Sequence, residues 1–248
     1  MVVIMELIKT KIPQLDEALG GGILEDSIVL ITYDTYSQGW TLAFEILRNR
    51  IEDGDFGVII NSVVPISMLN LELKRINFDL NEKGENGDLG IIDIFASFYG
   101  IEYEQPYIYY ENMDQETYLP KFMALYRQML KEKIKDRRPI GIQVTADGFA
   151  FLLGEERELR TFQKNLAEKE NALIREKRKR PINITLLNRH RVSQRYLSWL
   201  SLYSQYQIDF NSQESQMEEK MLIRKSPLPS FKPTKLNFKI ENGKVLIT

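Results

Sequence analysis

Few residues in this 248-residue chain can do chemistry, and their types are restrictive. Cysteine is absent, which excludes disulfides, thiolate nucleophiles and thiolate metal sites. His190 is the single histidine. It leaves almost no material for a Ser-His-Asp triad or a multi-histidine metal site, and it reads as structural. Asp147 follows the apolar run 139–146, and Asn188 ends the run 182–188. Strand ends of this kind carry ligand groups in α/β proteins, and turns and helix caps use the same residue types. Arg189, His190, Arg191 and Arg195 lead into Tyr196, Trp199, Tyr203 and Tyr206. Basic residues interleaved with aromatics suit single-stranded nucleic acid. The same aromatics recur at helical spacing, and an amphipathic helix is the preferred reading. Tyr103, Tyr107 and Tyr109 lie among glutamates in the aromatic stretch 95–110. Exposed tyrosines would make a partner surface, and a loop packed on its own aromatics accounts for them equally well.

Strand-like and helix-like segments alternate around these residues. Apolar runs at 27–32, 56–61, 89–94, 139–146 and 182–188 have the composition of strands covered on both faces. Helical spacing appears at 41–51, at 65–76 behind Pro65, at 115–135 behind Asp114, and at 155–177. The C-terminal part reads as short strands at 205–210, 220–225, 235–240 and 244–247, with a hairpin signal at Asn242-Gly243. This pattern predicts one α/β domain over 1–248. Its architecture is three α/β/α layers, a mostly parallel central sheet and an antiparallel C-terminal edge.

The segment Thr10–Ile23, TKIPQLDEALGGGI, resembles the opening signature T-G-I-x-x-L-D-x-x-L-G-G-G-I of KaiC-like and RadA/RadB-like ATPases of the archaeal type. Lys11 stands where that signature has a glycine. The resemblance extends over nearly the whole chain and implies a RecA-like P-loop NTPase fold. It places the phosphate-binding loop, G-x-x-x-x-G-K-[ST], on Tyr33–Trp40, YDTYSQGW. Tyr33 and Gln38 then replace glycines, Gly39 replaces the lysine and Trp40 the hydroxyl residue. A register shifted by one recovers Gly39 as a glycine and Thr41 as the hydroxyl, with Trp40 at the lysine. Neither register supplies a lysine. Such a loop works by aiming backbone N–H groups at phosphates while a lysine neutralises them and a hydroxyl holds magnesium. Ser37, Gln38, Gly39, Trp40 and Thr41 therefore form a degenerate pocket with Tyr33, Asp147 and Asn188, and Trp40 is bulky enough to fill the phosphate volume.

The relatives also carry a pair of glutamates after the second strand. Here that stretch is Asn61-Ser62-Val63-Val64-Pro65, without a carboxylate. The resemblance places Asp147 at the magnesium-associated aspartate and Asn188 at a polar sensor position. An ordinary turn role is preferred for Asn188. The stretch Ile91–Phe95 (IIDIF) and the Arg224-Lys225 pair also match positions in the relatives, although Pro227 interrupts the pattern around the pair. The basic run 175–180 reads as a solvated helix end.

The function expected first is a non-catalytic, pseudo-ATPase scaffold or regulatory subunit. ATP binding and a bound metal are not expected. The alternatives are a recombinase-paralogue-like nucleic-acid binder and an atypical nucleotide-binding ATPase. Net charge is -2, so the chain as a whole does not attract nucleic acid. A protein partner is the leading expectation, with nucleic acid possible and no membrane contact. The relatives commonly form rings held partly by interfacial ATP, so the oligomeric state stays open. The absence of a long apolar run and of cysteine points to a cytoplasmic setting.

Overall fold

A computed structural model describes residues 5–175, 178–212 and 218–248. The apolar run 1–5 reads in sequence as a strand or an ordered arm; its first four residues, and residues 176 and 177 of the basic run 175–180, lie outside the described residues. In chain order the elements are β1 (Leu7–Ile8), α1 (Pro13–Ala18), β2 (Ile23–Leu24), β3 (Ile28–Tyr33), α2 (Leu42–Glu52), β4 (Phe56–Asn61), α3 (Ile66–Lys74), α4 (Leu80–Glu85), β5 (Leu89–Asp93), α5 (Ile94–Tyr99) and β6 (Ile108–Tyr109). They continue with α6 (Tyr118–Met129), β7 (Pro139–Val144), α7 (Ala146–Leu153), α8 (Glu155–Arg175), β8 (Ile182–Asn188), α9 (Gln194–Tyr203), β9 (Tyr206–Asn211), β10 (Glu219–Lys225), β11 (Thr234–Glu241) and β12 (Lys244–Ile247).

The main sheet has ten strands in the order β12-β11-β10-β9-β3-β8-β7-β4-β5-β6. Every pairing from β9 to β6 is parallel, and the pairings among β9, β10, β11 and β12 are antiparallel. The expected mostly parallel sheet with an antiparallel C-terminal edge is therefore present. Its two faces follow from the period of two along each strand. Val29 and Ile31 join the cluster containing Ile46, Leu47, Leu69 and Leu73 of α2 and α3. Leu30, between them, faces Tyr196 and Leu200 of α9. Phe56 and Val58 likewise meet Phe122 and Met129 of α6, while Ile59 faces the other way.

Several expectations are corrected. The stretch 95–110 is not one loop: α5 occupies its first part and ends at Gly100, whose φ of 68° closes the helix in the left-handed region. The helix expected at 115–135 begins at Tyr118, and its last turn, Leu130–Ile134, widens to π geometry. Asp114 caps the turn before it by accepting from Glu116 and Thr117 N–H at 2.9 and 2.7 Å. Asp147, which follows the run 139–146, is in the first turn of α7, one of the roles the sequence left open.

The opening motif packs as a unit. Asp16 accepts from the Thr10 N–H and hydroxyl at 2.8 and 2.9 Å. Lys11, at the position where the signature has a glycine, has a left-handed backbone with φ 61°. Gly22 has φ 140°, and a Cβ there would lie 2.6 Å from the Ile8 carbonyl oxygen. Gly22→Ala is expected to cost about 1–3 kcal/mol from backbone strain alone. Urea unfolding of the variant checks this, and an unchanged midpoint would contradict it.

Candidate functional site

The loop after β3 is held closed by carboxylates of the chain itself. Asp34, the first residue beyond the strand, accepts from the Tyr36 N–H at 3.1 Å and the Ser212 hydroxyl at 2.5 Å through Oδ1. Its Oδ2 accepts from the Ser212 N–H at 2.7 Å and from Arg189 at 3.3 Å. Burial opposes ionisation of Asp34. The hydrogen bonds from Ser212 and Tyr36, together with Arg189, outweigh it and hold the carboxyl below the usual range.

A second carboxylate comes from the first residue of β10. Glu219 Oε1 accepts from the Gln38 N–H at 2.5 Å, and its Oε2 accepts from the Ser37 hydroxyl. The Ser37 oxygen in turn accepts from the Gly39 N–H at 3.0 Å. Burial pushes the Glu219 carboxyl up, and the Ser37 and Gln38 donors pull it part of the way back. Above Gly39 lies the ring of Phe210 from β9, so close that a Cβ at position 39 would fall 2.0 Å from its Cγ. Thr41 Oγ1 donates to the Gln38 carbonyl at 2.8 Å.

The Trp40 indole packs edge-on against Phe44 of α2 at 5.9 Å. Tyr33 is the buried last residue of β3, its hydroxyl pushed up by burial and by Asp147. Glu219, Phe210, Asp34 and Ser212 take part, and none was expected. Glu219 lies 181 residues from Gln38, so no local pattern pairs them.

At the neighbouring strand ends Asp147, Asn188, Arg189 and Arg191 are also paired. Asp147 accepts from the Asn188 N–H at 3.0 Å and from Arg191 at 3.2 Å. Asn188 Oδ1 accepts from the His190 N–H at 3.1 Å, which is a turn geometry. Arg189 donates to the Phe210 carbonyl at 2.6 Å and to Asn211 Oδ1 at 2.7 Å, in addition to Asp34. Arg195 is exposed on α9 beside Glu156. His190 is exposed, its Nδ1 3.4 Å from the Thr35 hydroxyl. Asn61 donates to Asp93 Oδ1 at 3.0 Å. Burial pushes Asp93 up to about 6 against the Ala96 and Asn61 donors. In the basic pair, Arg224 is salt-bridged to Asp209, and Lys225 donates to the Ser201 carbonyl at 2.9 Å. Among the described residues no three metal-ligating side chains gather.

Of the two readings of the tyrosine stretch, packing on its own surroundings is the one that two of the three side chains follow. Tyr107 and Tyr109 are buried, at 2% and 7% exposure. The Tyr107 ring covers Gly84 of α4, and its hydroxyl donates to Asn81 at 3.1 Å. Tyr103 is half-buried and edge-on to Tyr110 at 6.0 Å.

An uncharacterised protein of Pyrococcus horikoshii, solved in complex with an unknown peptide, superposes with TM-score 0.81 at 21% identity, over 97% of this chain and 98% of that one. A KaiC-like protein of the same organism superposes with TM-score 0.72 at 18% identity, over 99% and 100% of the two chains. This chain has a KaiC-type RecA fold. The flagellar accessory protein FlaH of Methanocaldococcus jannaschii shares it, with TM-score 0.65 at 14% identity over 98% and 99% of the chains. A UPF0273 protein of Aeropyrum pernix is 24% identical over 135 residues. That match spans 53% of this chain and only 50% of the relative. No protein-family model matches the chain. Among the described residues no helix is long and apolar enough to cross a membrane.

The loop after β3 is the one the sequence resemblance assigns to phosphate binding. Its Gln38 N–H donates to the Glu219 carboxyl, and the Phe210 ring covers Gly39.

Proposed function

We propose that this chain is a non-catalytic KaiC-fold protein, a scaffold or regulatory subunit that acts through contacts with other proteins. The observation that carries the reading is the loop filled from within, with Glu219 on the Gln38 amide and Phe210 on Gly39. Phosphoryl transfer depends on positioning and charge stabilisation, and the lysine and water-activating carboxylates that supply these are missing from the matching positions. Two structural neighbours lend support: one was solved with an unknown peptide, and another is described as a flagellar accessory protein. A nucleic-acid role draws less support, because Arg189 and Arg191 are engaged by Asp34 and Asp147.

Magnesium-ATP is expected to leave the thermal midpoint unchanged. A ligand present at a hundred times its Kd would stabilise by about 2.7 kcal/mol and raise the midpoint of a domain this size by about 5–10 °C. Such a rise, or steady phosphate release above buffer, would establish an atypical nucleotide site instead. Affinity capture with and without nuclease separates the other two readings. Partners that vanish with nuclease would replace the scaffold by a nucleic-acid binder.

A further inference from the structure

The sheet face under α6 and α8 is not fully covered. Val58 and Ile60 of β4, Gly141 of β7 and Ile184 of β8 floor a cavity of about 380 Å³. Tyr118, Phe122 and Met123 of α6 wall one side, and Phe162 and Leu166 of α8 wall the other. The volume lies within the range of small-molecule sites, and the composition fits one: aromatic walls with a few placed polar groups. No residue of the 34–41 loop lines it.

The lining carries more basic than acidic side chains, but its buried polar groups include two acceptors. Glu158, on α8, is 4% exposed and lines the cavity. One of its oxygens accepts from the Tyr196 hydroxyl at 2.7 Å, and Gln143 hydrogen-bonds the same carboxyl. Two turns further along the same helix face, seven residues on, Asn165 Oδ1 is buried and accepts no hydrogen bond. A buried carboxyl and an unpartnered acceptor beside aromatic rings are costly unless something donates to them. The basic groups lie towards the solvent end. Lys169 is salt-bridged to Asp26 at 2.6 Å, and Arg127 and Lys179 are exposed.

We infer that this cavity is a binding site for a small aromatic amine. The ring lies between the α6 and α8 aromatics, and the ammonium points inward to Glu158 and Asn165 Oδ1. The faces of Tyr118 and Phe162 add attraction for a cation. This inference goes beyond the proposed function and does not depend on it, since the cavity and the loop share no residue.

The test uses the full chain and two probes of similar shape, phenethylamine and phenylacetate, with binding followed by calorimetry and ligand-observed NMR. Phenethylamine is expected to bind saturably and at least about tenfold tighter than phenylacetate. Leu166→Trp and Met123→Trp fill the cavity from opposite walls, and each is expected to abolish binding. Either variant serves provided its circular dichroism matches the parent. Glu158→Gln is expected to remove the preference for the amine while leaving the cavity open. Absence of saturable binding, equal or tighter binding of phenylacetate, or binding that survives a folded cavity-filling variant would overturn the inference. Retention of the full amine preference in Glu158→Gln would overturn the role of the carboxylate.

Discussion

Glu158→Gln is expected to stabilise the protein at pH 8 by about 3 kcal/mol and to leave it nearly unchanged at pH 4. Burial pushes Glu158 from its ordinary 4.5 up to about 7, and the hydrogen bonds from Tyr196 and Gln143 offset only part of that. Between these two values the native chain holds a proton that the unfolded chain has released. Stability therefore falls as pH rises through the window from 4.5 to 7 and is flat above it. Glutamine does not titrate, and its carbonyl still accepts from Tyr196. Asp93, pushed up to about 6 by burial, acts with the same sign from 3.8 upward. It is present in both proteins and cancels in the comparison. Denaturant unfolding of both proteins at pH 4, 6 and 8 measures the difference. A gap that does not widen with pH would mean that Glu158 is not a buried acid in solution.

Those two acids also show which parts of the molecule the sequence reveals. β4 and β8 have the limits expected from their apolar runs, because strands covered on both faces leave an unbroken signal. The short helices α4 and α5 went unread. Six residues hold too few turns for a period of 3.6 to show, and the aromatic composition of α5 imitates a surface loop. Whether Tyr107 and Tyr109 face solvent is not legible for a related reason. Their neighbours Glu102, Glu104 and Glu111 are exposed, while the groove that takes Tyr107 is made by Gly84, more than twenty residues earlier in the chain. The loop after β3 is legible in one respect only. The lack of the lysine, glycines and glutamates of a phosphate-binding loop is visible in 33–40 and 61–65, whereas the groups that close on the loop come from β9 and β10. Nothing in Glu219 or Phe210 as sequence positions distinguishes them from other strand residues. β9, parallel to β3, carries Phe210 to the loop, and the antiparallel return of β10 brings Glu219 there.

Gly39→Lys, the substitution that would restore the lysine of a phosphate-binding loop, is expected to destabilise the protein by about 3 kcal/mol and to give no ATP hydrolysis. The reason is steric before it is chemical. A Cβ at position 39 would stand 2.0, 2.4 and 2.5 Å from three atoms of the Phe210 ring. That ring is fully buried and held edge-on against Phe238 at 4.9 Å, so it cannot swing aside without disturbing β11. Phe210→Ala alone is expected to cost about 3–5 kcal/mol through the lost burial and the cavity left behind. The double variant tests whether the two residues oppose one another through the same space. Once the ring is gone the new side chain no longer overlaps it, so the combined loss is expected to fall short of the sum by about 1–3 kcal/mol. Urea unfolding of the four proteins in the cycle measures that coupling. Additive losses would show that Phe210 does not occupy the volume above Gly39. ATP hydrolysis in the double variant would show further that the ring, rather than the missing carboxylates and Glu219, is what keeps the loop from working on phosphate.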